Sequence, residues 1–164
     1  MAKILKLYRA VLLLMLALVL VGVAPVRADD GLNGWEKGGA YDRLYQVSEL
    51  DRLKGDIKKI IRLEPLPGMA PGMGLILKDG DGEQVTVHIG PVAFLGKNIG
   101  LKRGDRVKIR GAWAEINGED VFLAAKIKKG DYFSLKVRLT KNGTPFWAMT
   151  PEELAHERGQ AQKK

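Results

Sequence analysis

Between Leu53 and Thr140 apolar and polar residues alternate in short stretches, and this period of two restricts the fold more than any other feature of the chain. Leu53, Gly55, Ile57, Lys59, Ile61 and Leu63 alternate with Lys54, Asp56, Lys58, Ile60 and Arg62. Val85, Val87 and Ile89 alternate with Thr86 and His88, and Val107, Ile109, Gly111 and Trp113 with Arg106, Lys108 and Arg110. Val121, Leu123, Ala125 and Ile127 share one register, as do Leu135, Val137 and Leu139 against Lys136 and Arg138. Successive side chains of a strand point to opposite faces, so each stretch reads as a strand with one face on a core. Gly55 within the first strand predicts a bulge or sharp bend, which a closed barrel requires.

The breaks between strands are equally clear. Leu66 to Gly74 holds two Pro and three Gly and is expected to be a loop. Leu75 to Lys78 is a short strand, and Asp79-Gly80-Asp81-Gly82 turns it back on the next. Asn117-Gly118 marks a second hairpin, because both residues tolerate positive φ. Val92 to Asn98 fits a helical turn or two, weakened by Gly96. Thr150-Pro151-Glu152-Glu153 has the composition of a capping box and opens a polar C-terminal helix. The order predicts an all-β, five-stranded OB-fold-like Greek-key barrel. A short helix lies between strands three and four, with an extra C-terminal strand and a C-terminal helix. A generic β-sandwich is the alternative.

The N-terminus addresses location rather than fold. Lys3, Lys6 and Arg9 precede the uncharged run Val11 to Val23, and Val26 and Ala28 are small residues ahead of Asp29-Asp30. That order is a secretory signal peptide over residues 1–28, cut after Ala28. An uncleaved anchor is the alternative, although the run is short for a span of about 20 residues. The expected organisation is a signal peptide at 1–28, a flexible N-terminal arm at 29–46, the barrel at 47–147 and a helical tail at 148–164. The product is expected to be periplasmic, with no stable membrane span after cleavage. The chain has no Cys, so neither disulfides nor thiolate chemistry is available. Its net charge is +8, and the leader carries Lys3, Lys6, Arg9 and Arg27 with no acid, which leaves +4 for the remainder. That balance favours anionic partners without requiring nucleic acid.

Several motifs carry a resemblance. Val87-His88-Ile89-Gly90-Pro91, Phe94-Leu95, the run from Leu101 to Val107 (LKRGDRV), Arg110-Gly111, the run from Leu123 to Ile127 (LAAKI) and Gly143-Thr144-Pro145-Phe146-Trp147 follow one another in order. This series resembles a family of small secreted bacterial OB-fold proteins over residues 47–147, and more widely the bacterial OB-fold proteins of the periplasm. The resemblance implies fold and location. It implies no reaction or ligand, because such folds host many functions.

The candidate site is a basic stripe. On the polar register of the strands lie Lys54, Lys58, Arg62, Arg106, Lys108, Arg110, Lys126, Lys128, Lys136 and Arg138, with Asp56 as the main acid. If the strands neighbour one another, these cations share an outer face suited to an anionic ligand or an acidic envelope protein. The competing reading is ordinary solvation of a barrel exterior. Nucleic acid would also need stacking aromatics, for which Phe122 and Tyr132 are the candidates, whereas Trp113 falls on the inward register. His88 with Met69, Met73 or Met149 could hold a soft metal, but only two His are present, and a hydrogen-bonded His at a strand end is the simpler reading. The Asp79–Glu83 segment lacks the spacing of a calcium loop. Ser48 and Ser134 are the only serines, and neither stands in a nucleophile elbow. The sequence therefore predicts a binding module with no enzymatic activity, no cofactor and no metal. An accessory subunit of an envelope complex, docking through loop 65–74 and the C-terminal helix, is the alternative. The oligomeric state is left open.

Overall fold

A computed structural model describes residues 31–162. The expected signal peptide lies outside the described residues. The strands are β1 (Leu50–Leu63), β2 (Gly72–Asp79), β3 (Gln84–Pro91), β4 (Arg106–Ile116), β5 (Glu119–Lys129) and β6 (Phe133–Lys136). Helix α1 (Val92–Leu95) is a single turn between β3 and β4, and α2 (Pro151–Gln162) ends the described chain.

The strands are hydrogen-bonded in the order β3-β2-β1-β4-β5-β6, and β3 also pairs in parallel with β5. That last pairing closes a five-stranded barrel. Both β3 and β6 pair with β5, β3 along Val121 to Leu123 and β6 along Lys126 to Lys129. The fold is therefore the all-β barrel expected, with the short helix between strands three and four, the added strand and the terminal helix all in place.

Local chemistry explains the turns. Asp79 Oδ1 accepts the backbone N–H groups of Asp81 (3.0 Å) and Glu83 (2.9 Å), which pins the β2–β3 turn. Asn117 (φ 54°) and Gly118 (φ 78°) form the left-handed pair that a tight β4–β5 hairpin needs. At α2 the Thr150 N–H donates to Glu153 Oε2 (2.9 Å), and the Glu153 N–H donates to Thr150 Oγ1 (3.3 Å). This is the reciprocal capping box expected from the sequence.

Ile57, Leu75, Leu77, Val87, Val107, Ile109, Phe122 and Ile127 are buried almost completely. Burying a side chain of this kind favours folding by roughly 1.5–3 kcal/mol. Phe122 was expected on the outward register, as a stacking residue. It is instead wholly buried, and a register slip is the reason. Along the β4–β5 ladder Arg110 pairs with Lys126, but the next residue, Gly111, pairs with Ala124. Ala125 is thus an extra residue on β5, a β-bulge that reverses the alternation beyond it. Phe122 then faces inward beside its partner Val87, and Trp113 packs edge-on against it at 5.1 Å. Trp113 keeps its inward register but sits half-buried at the barrel mouth, its indole N–H on Asp51 Oδ2 (3.1 Å). The Asp51 carboxyl is held below the usual range by the Arg52 backbone N–H and then by this indole.

Three other expectations are corrected. The arm is not loose: Trp35, Tyr41 and Tyr45 are buried. The loop expected over Leu66–Gly74 is shorter, since Gly72, Met73 and Gly74 already belong to β2, and within it Met69 and Ala70 are buried. The last strand stops at Lys136 because the N–H groups of Val137 and Arg138 both turn to the Ala125 carbonyl.

Candidate functional site

Two polar clusters stand out, and burial separates their roles. The first lies where the segment before β1 and the segment after β6 cross the ends of β2 and β3. Trp35 donates its indole N–H to the Ala70 carbonyl (2.9 Å), and Trp147 donates to the Trp35 carbonyl (2.8 Å). Gly72 and Gly90 admit the two indoles: a Cβ would come within 2.6 Å of Trp35 at Gly72 and within 2.8 Å of Trp147 at Gly90. Tyr41 stacks on His88 and shares a hydrogen bond with its Nδ1 (3.2 Å). Burial pushes the His88 imidazole down to about 4 and raises the Tyr41 phenol well above its ordinary value, so both are neutral near pH 7.

Arg138, expected on the basic face, belongs to this cluster instead. It is 3% exposed. Its Nη1 donates to Asp42 Oδ1 (2.5 Å) and to the Gly143 carbonyl (2.9 Å). Its guanidinium lies over the rings of Tyr45 (5.1 Å) and Trp147 (4.8 Å). Alternation assigned Arg138 to an outer face, but β6 has ended two residues earlier, and the chain folds back so that Arg138 bridges to Pro145. The cluster ties the segments that flank the barrel to it. The ends of β2 and β3 away from their shared turn are covered by the protein's own Trp35, Tyr41 and Trp147.

The second cluster is the outer face of β1, β4, β5 and β6. Arg52 pairs across β1–β4 with Arg110, Arg110 across β4–β5 with Lys126, and Lys126 across β5–β6 with Lys136. One step along the strands, Lys54 pairs with Lys108 and Lys108 with Lys128. Two rows of cations thus cross the sheet. Among the described residues of these rows, Arg52, Lys54, Lys108, Arg110 and Lys128 are exposed, and Lys126 and Lys136 are half-buried. Arg106 extends the face and forms a long ion pair with Asp56 (3.6 Å), both groups well exposed. The nearby Lys129 is otherwise engaged. Its Nζ bonds the Gly100 carbonyl (2.7 Å) and Asp105 Oδ2 (3.0 Å), and lies over the Phe133 ring. That contact is the main cause of the lowered Asp105 carboxyl.

The structure therefore unites Lys54, Arg106, Lys108, Arg110, Lys126, Lys128 and Lys136 of the sequence-derived set. Arg52, which the alternation argument did not include, joins them, and its place opposite Arg110 is a matter of register alone. Lys58 and Arg62 are exposed but lie past a bulge between Ile57 and Lys59, on the half of β1 that pairs with β2. Tyr132 is fully exposed in the turn between β5 and β6. Among the described residues no group of three or more His, Asp or Glu side chains is placed to hold a metal ion. Met69 and Met73 are buried as packing.

Fold and surface together define a small all-β barrel protein with a cationic outer face. The sequence of residues 49–134 matches the MamS/MamX magnetosome protein family, and the chain belongs to that family. The matched segment begins just before β1 and ends within β6, so it contains the barrel and most of the cationic face, while Trp35, Tyr41, Arg138 and Trp147 lie outside it. No curated protein matches the chain.

Proposed function

We propose that this chain is a non-enzymatic binding module that holds an anionic ligand or acidic partner on the outer face of β1, β4, β5 and β6. The observation that carries this reading is the run of five directly opposed cation pairs: Arg52–Arg110, Arg110–Lys126, Lys126–Lys136, Lys54–Lys108 and Lys108–Lys128. Like charges placed directly across a sheet each destabilise it by roughly 0.2–1 kcal/mol. Solvation of a barrel exterior needs polar groups, not this sign repeated, so the arrangement is better explained by a partner that neutralises it. The family name supports a role among magnetosome proteins. The leader motif supports export to the periplasm, with a mature chain beginning at Asp29, and the motif series supports kinship with secreted OB-fold proteins. Docking through loop 65–74, the accessory-subunit reading, is disfavoured by the burial of Met69 and Ala70.

The test is retention on an immobilised polyanion such as heparin. Wild type should bind at low salt and elute as salt rises, because neutralising phosphates or sulfates releases counterions. The triple variant Arg106→Glu, Lys108→Glu, Arg110→Glu should flow through while still melting cooperatively, at a temperature no lower than that of wild type. Equal retention of wild type and triple variant would reduce the face to solvation. N-terminal sequencing of exported protein checks the cleavage site, and a full-length membrane-bound product would make the leader an anchor.

A further inference from the structure

The cationic face is two-dimensional, and this separates one class of anionic partner from others. Strands lie about 4.8 Å apart and alternate residues about 6.8 Å apart along a strand. The rows Arg52–Arg110–Lys126–Lys136 and Lys54–Lys108–Lys128 therefore cover a patch roughly 14 Å across, with Arg106 beyond it. A linear polyanion lying along one row would not reach the other. The patch lies on the convex outer wall of a closed barrel, so a plane of anionic groups meets both rows at once. The turn that joins β5 to β6, which follows Lys128 and Lys129 along the chain, holds Tyr132 with its side chain wholly in solvent. A fully exposed aromatic ring with a polar tip is the side chain that settles at the headgroup level of a bilayer.

We infer that the β1-β4-β5-β6 face docks on an anionic lipid bilayer, with the two rows of cations on the headgroups and Tyr132 seated between them. This rests on the anion-binding reading above and specifies its partner. No part of the barrel enters the hydrocarbon: the rows remain at the surface, within a Debye length of about 8 Å at physiological salt.

The experiment uses residues 29–164, the mature chain that the leader motif predicts, which include every buried residue of the described structure, from Trp35 to Trp147. A thermal melt confirms folding of each variant. Sedimentation is measured with vesicles of phosphatidylcholine alone and of phosphatidylcholine with one quarter phosphatidylglycerol, with heparin retention run in parallel. Wild type should partition onto the anionic vesicles only, and progressively less as salt rises. Lys54→Gln, Lys108→Gln, Lys128→Gln together should lower that partitioning by about a hundredfold, since each basic residue near an anionic surface contributes about a factor of five. Tyr132→Ser should weaken vesicle binding severalfold and leave heparin retention unchanged. Heparin retention without vesicle binding, or a Tyr132→Ser effect equal on both matrices, would overturn the lipid assignment and leave the anion-binding reading standing. Preference for polyglutamate over anionic vesicles would assign the face to an acidic protein instead. Loss of all three binding activities in folded wild type would overturn both.

Discussion

His88 and Arg138 show how the same sequence register can carry opposite fates. Both sit at positions that alternate with apolar residues, and both are buried by chain segments from outside the barrel. His88 is kept neutral by burial, its pKa near 4 against about 6.5 for an ordinary histidine. The folded state therefore binds this proton less readily than the unfolded chain does. The stability it supports is complete above about pH 6.5 and is lost as pH falls towards 4, by on the order of 3 kcal/mol. Denaturant titrations between pH 7 and pH 4 should show this loss in wild type and a shallower one in His88→Gln. Arg138 presents a different sensitivity. Its guanidinium is desolvated and depends on Asp42 and the Gly143 carbonyl. Asp42→Ala should cost about 3–5 kcal/mol by leaving that charge unpaired. Arg138→Met should cost less, because it removes the charge along with the partner's task. Equal losses in the two variants, measured by urea unfolding, would show that Asp42 acts through something other than the pair.

At the scale of elements, a single extra residue decides which side of β5 is interior. The bulge at Ala125 turns Phe122 into the core and places Leu123 opposite His88, on the side that Tyr41 covers. Phe122→Ala should therefore destabilise the barrel by about 3–5 kcal/mol. A chemical-denaturation loss near zero would return Phe122 to the surface. The two segments flanking the barrel are likewise structural. Trp35 is almost fully buried and touches Tyr41 (4.8 Å) and Trp147 (5.5 Å) edge-on. Trp35→Ala should cost about 3–5 kcal/mol as well. It should also raise hydrogen exchange across the Met69–Met73 segment, whose Ala70 carbonyl loses its donor.

For the whole molecule, the arrangement of charge sets stability against binding. Lys108 has a lysine opposite it on both sides, Lys54 and Lys128. Lys108→Glu converts two repulsive cross-strand pairs into attractive ones and should raise stability by about 1 kcal/mol while weakening retention on a polyanion. Thermal melts and heparin elution of the same variant measure both effects. A variant that is less stable and equally retained would remove the argument that the face is arranged for a partner. Added salt should likewise stabilise wild type by screening these pairs.

Alternation, turn chemistry and caps are local properties, and they were legible in the sequence. Period two located the strands, Asn117-Gly118 and Asp79–Gly82 located the turns, and Thr150 with Glu153 located the start of the last helix. The strand order with a helical turn between β3 and β4 then specified a closed barrel, because few other topologies accommodate that series. Register and cover were decided only by the tertiary structure. Period two carries through a strand only until a bulge, and nothing in the Leu123–Ile127 sequence marks Ala125 as the extra residue. Arg52 joins the cationic rows because β1 and β4 pair where they do, and Arg138 leaves them because β6 ends at Lys136. Trp35, Tyr41 and Trp147 are far apart along the chain and lie in no periodic pattern. Their burial arises from contacts with one another and with the ends of β2 and β3, which exist only once the barrel has closed.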